Sequence, residues 1–151
     1  MQQSSNPSVP KILPPHIFLA TVVLMLVAGY LETSLFGNRY WPLALCLVGI
    51  WLAAREKNRF VRAGTTFYPG DTASKLITDG AYRYSRNPMY LGMVVALIGL
   101  WPLTDGYVPG ILLVIFAGII TKFYIVPEEK HLTERFGQDY LDYKRSVRRW
   151  L

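Results

Sequence analysis

Two stretches of this chain collect polar, charged and aromatic side chains where each meets a long apolar run. Gly80 to Gly92 reads Gly-Ala-Tyr-Arg-Tyr-Ser-Arg-Asn-Pro-Met-Tyr-Leu-Gly and leads directly into a hydrophobic segment. Glu128 to Tyr143 follows the last hydrophobic segment and opens on the pair Glu128-Glu129. In the first stretch Asn87 is a preferred helix cap and Pro88 suits the first helical position, so a helix is expected to start there. Its free N–H groups and positive dipole end can hold an anion such as a ligand carboxylate, with the charge of Arg86 beside it. A plain cap, with Arg86 anchored at a lipid phosphate, uses the same residues. Tyr82, Tyr84 and Tyr90 surround this start. Their faces can stack on a heterocycle or attract a cation, and an interfacial aromatic belt would use them too. In the second stretch, Pro127 is expected to end one helix and the two acids to begin another. Acids at a helix start balance its dipole; alternatively, one of them accepts hydrogen bonds from a ligand amine or ribose hydroxyl. His16 and His131 are isolated and Cys46 is the single cysteine, so neither a metal site nor an internal disulfide is expected.

Four apolar segments must position these residues: about His16 to Leu35, Tyr40 to Ala54, Met89 to Leu103 and Tyr107 to Val126. At about 1.5 Å per residue, a helix crosses roughly 30 Å of hydrocarbon only with some 20 residues. The first and fourth segments are long enough. The second and third are short, so they are expected to extend, to tilt or to pack mainly on their neighbours. The chain has 151 residues, 52% of them hydrophobic and 17% charged, with the apolar ones clustered, which points to an all-α integral membrane helical bundle of one domain. About four transmembrane helices and a cytosolic amphipathic C-terminal helix are expected. The expected divisions are a flexible N-terminus over 1–15, a first hairpin over 16–54, a cytosolic loop over 55–88, a second hairpin over 89–126 and a cytosolic C-terminal segment over 127–151. Leu132, Phe136, Tyr140, Tyr143 and Val147 recur at helical spacing in that last segment, and Gly137 interrupts it.

Charge sets the expected orientation. With the N-terminus inside and four crossings, 15 of the 16 Lys and Arg residues fall on the inner side, leaving only Arg39 in the turn Gly37-Asn38-Arg39 outside. That asymmetry predicts cytoplasmic termini. The formal charge of +6 comes without a long Lys/Arg run, which suits anionic lipid headgroups and argues against nucleic acid as a partner. No cleavable signal peptide is expected, because the polar start, Met1 to Pro10, lacks a basic region.

Arg86-Asn-Pro-Met-Tyr-Leu-Gly92, joined to Glu128-Glu129, Leu132, Phe136-Gly137, Tyr140 and Tyr143, resembles the isoprenylcysteine carboxyl methyltransferases and the related phospholipid N-methyltransferases. The likeness covers roughly Thr72 to Trp150 and rests on the joint pattern. It implies an integral membrane enzyme that uses S-adenosylmethionine, bound at the cytosolic side between the last membrane helices and the C-terminal segment. The lipid-like or amphipathic substrate would enter from the bilayer. By position, the cofactor contacts implied are Ser74, Lys75, Leu76 and Ile77, then Tyr82, then Asn87, Pro88, Met89 and Tyr90, and finally Glu128. Two departures stand out. Asn87 replaces the usual His of the family's Arg-His-Pro-x-Tyr box. Tyr124 stands where carboxyl-methylating members have an Arg thought to hold the substrate carboxylate. Tyr124, Arg135 and Glu129 are the candidates on the acceptor and catalytic side.

The reading that follows is methyl transfer from S-adenosylmethionine to an amphipathic acceptor: a prenylcysteine-type carboxylate, a phospholipid amine or a thiol. Two other classes use parts of the same pattern. Membrane sterol reductases share a similar C-terminal pattern and use NADPH. A small four-helix transporter would use Glu32 as its coupling acid.

Overall fold

The computed structural model describes residues 12–32, 40–62, 75–104 and 106–151, and among these every regular element is helical. The turn expected at Gly37-Asn38-Arg39, the glycines and proline of the inner loop (Gly64, Pro69, Gly70) and Ser74 lie outside the described residues. The helices are α1 (Pro14–Glu32), α2 (Pro42–Arg62), α3 (Pro88–Thr104), α4 (Tyr107–Ile120), α5 (Val126–Phe136) and α6 (Gln138–Ser146).

α3 is the centre of the bundle. It carries nine buried residues, and α1, α2 and α4 all pack on it. Its shortness, 17 residues, is met by packing on neighbours, one of the outcomes expected for a short apolar segment. α2 and α3 run antiparallel with small residues in the seam. A Cβ added at Gly99 would lie 2.6 Å from the Cys46 nitrogen, one at Gly49 would lie 2.4 Å from the Ala96 nitrogen, and one at Gly92 would lie 2.7 Å from the Ala53 nitrogen. This close approach without Cβ atoms is the contact that apolar helices use where burial alone gives little drive. It also fixes the register, so the next turn of α2, at Glu56 and Lys57, stands opposite the start of α3 at Pro88 and Met89.

Around α3 the core is Met25, Tyr90, Met93, Leu97, Phe116, Ile120, Tyr124 and Ile125, with the ring of Phe18 edge-on to Phe116 at 6.1 Å. α1 turns Thr21, Met25 and Gly29 inward and leaves Leu19, Val23, Leu24, Val27 and Leu31 exposed. α4 likewise exposes Ile111, Val114 and Ile115. Aliphatic surface of that extent suits a lipid solvent.

Three boundaries differ from the sequence expectation. α2 does not end at Ala54 but continues to Arg62, so the charged stretch after Ala54 begins as helix rather than loop. Pro127 does not end the fourth helix: the chain is helical without a break over Tyr107–Phe136, 30 residues. A π turn at Thr121–Ile125 makes this possible, with the Val126 N–H donating to the Thr121 carbonyl, five residues back. A wider turn of this kind relieves the clash between a proline ring and the carbonyl four residues earlier. At about 1.5 Å per residue the helix is about 45 Å long, so its last turns, from Glu128 on, project beyond roughly 30 Å of hydrocarbon. The C-terminal segment is two helices rather than one. Gly137, at a φ of +52°, separates α5 from α6, and its N–H closes α5 on the Thr133 carbonyl.

Among the described residues, α1 and Tyr107–Phe136 are long and apolar enough to cross a membrane. The end of α1 and the start of α4 are joined by Glu32, whose Oε2 accepts from the Val108 N–H at 3.3 Å. That bond satisfies one of the orphan donors at the α4 start.

Candidate functional site

The end of the chain folds back over the Arg86-Asn87-Pro88 box and straps it down. The Arg86 N–H donates to the Arg148 carbonyl at 2.9 Å. The Asn87 Nδ2 donates to the Arg149 carbonyl at 2.9 Å, and the Ser85 hydroxyl donates to the same carbonyl at 3.3 Å. Asn87 does occupy the cap position, since its carbonyl accepts the Leu91 N–H at 2.9 Å. Its side chain, however, is turned to the tail instead of capping the helix start. Tyr143 reaches the other way, its hydroxyl donating to the Tyr82 carbonyl at 2.7 Å, and Trp150 packs against the core.

Glu129 anchors the strap. Arg149 grips it with two hydrogen bonds of 2.9 Å, Arg86 Nη2 lies at 3.2 Å and Lys144 Nζ at 3.6 Å. Burial works to raise the Glu129 carboxyl, but the Arg149 bonds and the charges of Arg86, Arg149 and Lys144 hold it below the usual carboxylate range. A carboxylate held by three cations is a fastening, poorly suited to taking up a proton. Arg86 uses only one end of its guanidinium here. Its Nε and Nη1 are buried with no hydrogen-bond partner among the described residues, two nitrogens available to an anion.

Glu128, one residue earlier, faces a different environment. It is half-buried and interacts with the Tyr90 hydroxyl. Crowding by neighbouring atoms, with the charge of Glu129 nearby, pushes its carboxyl up to about 7, against the downward pull of the Tyr90 hydroxyl. The two sequence stretches therefore meet: Tyr90, on the first turn of α3, touches Glu128 across the bundle. Tyr82 joins them from a short 3-10 turn over Gly80–Arg83. Burial pushes its hydroxyl well up, and the charges of Glu128 and Glu56 push it further.

Arg59 of α2 sets that turn in place. Its Nη1 donates to the Asp79 carbonyl at 2.8 Å and lies 3.3 Å from the Asp79 carboxylate. Gly80, at a φ of +63°, lies against the same guanidinium, and a Cβ there would fall 1.8 Å from Nη1. The left-handed backbone is what favours glycine here, since the guanidinium is the free end of a flexible side chain.

Glu56, which the sequence reading passed over, is fully buried. Among the described residues the nearest charges are Arg55 Nε at 3.9 Å and Arg59 Nε at 4.0 Å, and neither carboxylate oxygen has a hydrogen-bond partner there. A sequence signal existed. Cys46, Gly49, Ala53 and Glu56 recur at spacings of three, four and three, which places the acid on the α3-facing stripe.

An apolar cleft of about 330 Å³ opens beside Tyr90, lined by Leu13, Phe18, Ala53, Lys57, Met89 and Tyr90 among others. Of the remaining candidates, Pro88 is buried, Lys75 is exposed, and Leu76 and Ile77 are half-buried. Tyr84 is 76% exposed and faces away from the group it was expected to join. Tyr124 lies in the core, its hydroxyl donating to the Ile12 carbonyl. Arg135 is exposed on α5, with its guanidinium 5.9 Å from the centre of the Phe136 ring. Tyr124 thus shares the core cluster with Tyr90, whereas Arg135 stands outside it, and among the described residues no group of acidic, His or Cys side chains could hold a metal ion.

Comparison with known proteins places this arrangement. Residues 38–139 match the phospholipid methyltransferase family, and the chain belongs to that family. It is 35% identical over 75 residues to protein-S-isoprenylcysteine O-methyltransferase of Schizosaccharomyces pombe, covering 48% of this chain and 30% of that one. The Saccharomyces cerevisiae enzyme of the same name is 39% identical over 80 residues, with coverage of 48% and 30%. Methanethiol S-methyltransferase 1 of Bradyrhizobium diazoefficiens is 32% identical over 79 residues, with coverage of 50% and 26%. The matched region is thus under a third of each of these relatives. No solved structure matches the chain.

Proposed function

We propose that the chain is an integral membrane methyltransferase that uses S-adenosylmethionine to methylate an amphipathic acceptor at the cytosolic membrane face. The observation that carries this reading is the interaction of Tyr90 with Glu128, which joins the two motifs of the family beside an apolar cleft. The names of the relatives, one group acting on isoprenylcysteine and another on methanethiol, support methyl transfer as the reaction.

The residues fit the donor. Arg86 offers two buried nitrogens with N–H groups suited to a carboxylate, and Tyr82 and Tyr90 offer aromatic faces suited to a sulfonium. Glu128 offers a carboxyl suited to ribose hydroxyls. The donor supplies an electrophilic methyl whose sulfonium is already a good leaving group. The work left to the protein is positioning and exclusion of water. The strap from Arg148 and Arg149 holds Asn87 and Arg86 in place, and Tyr82 and Tyr90 close the site against solvent. The cleft beside Tyr90 takes the apolar part of the acceptor, so that its nucleophilic oxygen, nitrogen or sulfur is delivered from the bilayer side. Four crossings with both termini in the cytoplasm fit the charge asymmetry. Tyr124, Glu129 and Arg135 remain proposals for the acceptor side. Of these, Glu129 is committed to the strap.

The capping role of Glu32 weighs against a transporter that would use it as a coupling acid. Calorimetry with S-adenosylhomocysteine and with NADPH tests the reading. Binding of the first alone is expected, and binding of NADPH alone would contradict it.

A further inference from the structure

Glu56 is a fully buried carboxylate that does nothing evident for the fold. Its two arginine neighbours approach through Nε at 3.9 and 4.0 Å, too far for a hydrogen bond. They balance its charge without occupying its lone pairs, and a carboxylate has room for about four hydrogens. Leaving such a group without donors is costly, and native proteins seldom do so without a reason.

Its position supplies the reason. The seam of α2 and α3 is in register from Cys46–Gly99 through Gly49–Ala96 to Ala53–Gly92. One turn on, Glu56 lies opposite the start of α3, at the box that carries Asn87 and Tyr90. Arg59, one turn beyond Glu56, holds the Asp79–Gly80 turn that carries Tyr82. The charges of Glu56, on α2, and of Glu128, on α5, both reach Tyr82. The two acids are not equivalent. Glu128 already has the Tyr90 hydroxyl and, with its carboxyl at about 7, is partly protonated at neutral pH. That suits it to neutral hydroxyl groups better than to a cation. Glu56 has open acceptor sites and a compensated charge, the features that a primary ammonium requires.

We propose that Glu56 accepts the hydrogen bonds of the primary ammonium at the amino-acid end of the methyl donor, as a second carboxylate of the site, with Glu128 left to the ribose. This rests on the reading of the site as a sulfonium-nucleoside site. The test separates the two claims by using a pair of ligands, S-adenosylhomocysteine, which has the amino-acid end, and 5′-methylthioadenosine, which lacks it. Affinities are measured by calorimetry on the purified full chain in detergent, for the wild type, Glu56→Gln and Glu56→Asp.

A charge-assisted hydrogen bond lost at a desolvated site should weaken binding of S-adenosylhomocysteine by about tenfold or more in Glu56→Gln. Binding of 5′-methylthioadenosine should stay within about twofold of the wild type. Glu56→Asp keeps the charge that balances Arg55 and Arg59 but withdraws it by one methylene. It decides the matter if the Gln variant does not fold, and the same selective loss is expected of it. Unchanged affinity for both ligands, or an equal loss for both, would assign Glu56 to the fold alone and overturn the inference. Failure of the wild type to bind either nucleoside would instead overturn the reading on which it rests.

Discussion

Replacing Arg149 by Ala removes the guanidinium that grips Glu129 and leaves the backbone of the strap intact. The Arg149 carbonyl still receives Asn87 and Ser85, and Arg148 still receives the Arg86 N–H. The loss is therefore the two charge-assisted bonds of 2.9 Å to Glu129. Bonds to charged groups contribute about 1.5–3 kcal/mol, and removing one partner of a buried pair costs about 3–5 kcal/mol. Three features place this case at the low end. Arg149 is 38% exposed, Arg86 stays at 3.2 Å from Glu129, and Lys144 stays at 3.6 Å. A loss of about 1.5–2 kcal/mol follows after allowance for solvent screening. For a domain of this size that lowers the unfolding midpoint by about 3–8 °C. A thermal melt in detergent measures it. The contribution also depends on pH. The folded-state pKa of Glu129 is depressed, so the stabilisation is present above the ordinary carboxylate pKa and is lost as pH falls through the folded value. The difference between wild type and Arg149→Ala should therefore shrink in acid. A midpoint unchanged at neutral pH, or a difference that grows in acid, would refute the strap as described.

Glu128 should show the opposite dependence. Its folded pKa is raised to about 7, so between the ordinary value near 4.5 and about 7 the folded protein holds a proton that the unfolded chain has lost. Stability should fall as pH rises through that window, and Glu128→Gln should flatten the slope in a series of melts; an unaltered slope would contradict the assignment. Gly92→Ala tests the α2–α3 seam. The added Cβ would lie 2.6 Å from the Gly49 oxygen and 2.7 Å from the Ala53 nitrogen, backbone atoms that cannot move aside, so a loss of about 1–3 kcal/mol is expected in a thermal melt. A variant as stable as the wild type would mean the two helices are not in this register.

The elements that carry the candidate site were more legible in the sequence than the contacts that fix them. Asn87-Pro88 announces the start of α3, and a helix starts there, because cap and first-turn preferences are local. That Tyr90 and Glu128 belong together came from the joint pattern of two stretches, not from either one. What escaped depends on contacts across the chain. Pro127 reads as a helix end because its clash with the preceding turn is local, whereas the π turn that accommodates it forms within an apolar helix already held by packing. Arg149 reads as one of several basic residues at a membrane surface, and its grip on Glu129 depends on the tail folding back. Glu56 reads as a solvated acid between Arg55 and Lys57. Only the spacing of Cys46, Gly49, Ala53 and Glu56 places it on the buried face. Gly137 reads as an interruption of the C-terminal helix, and its positive φ makes that interruption a full break between α5 and α6.

The central claim is that residues from two distant stretches form one site for a sulfonium nucleoside. Calorimetric titration of S-adenosylhomocysteine into the wild type and into Glu128→Gln tests it most directly. The account predicts saturable binding to the wild type and a loss of about tenfold in the variant, in line with hydrogen bonds to ribose hydroxyls lost from a carboxyl that is ionised in part. Equal affinity for the two proteins would remove Glu128 from the site and contradict the account.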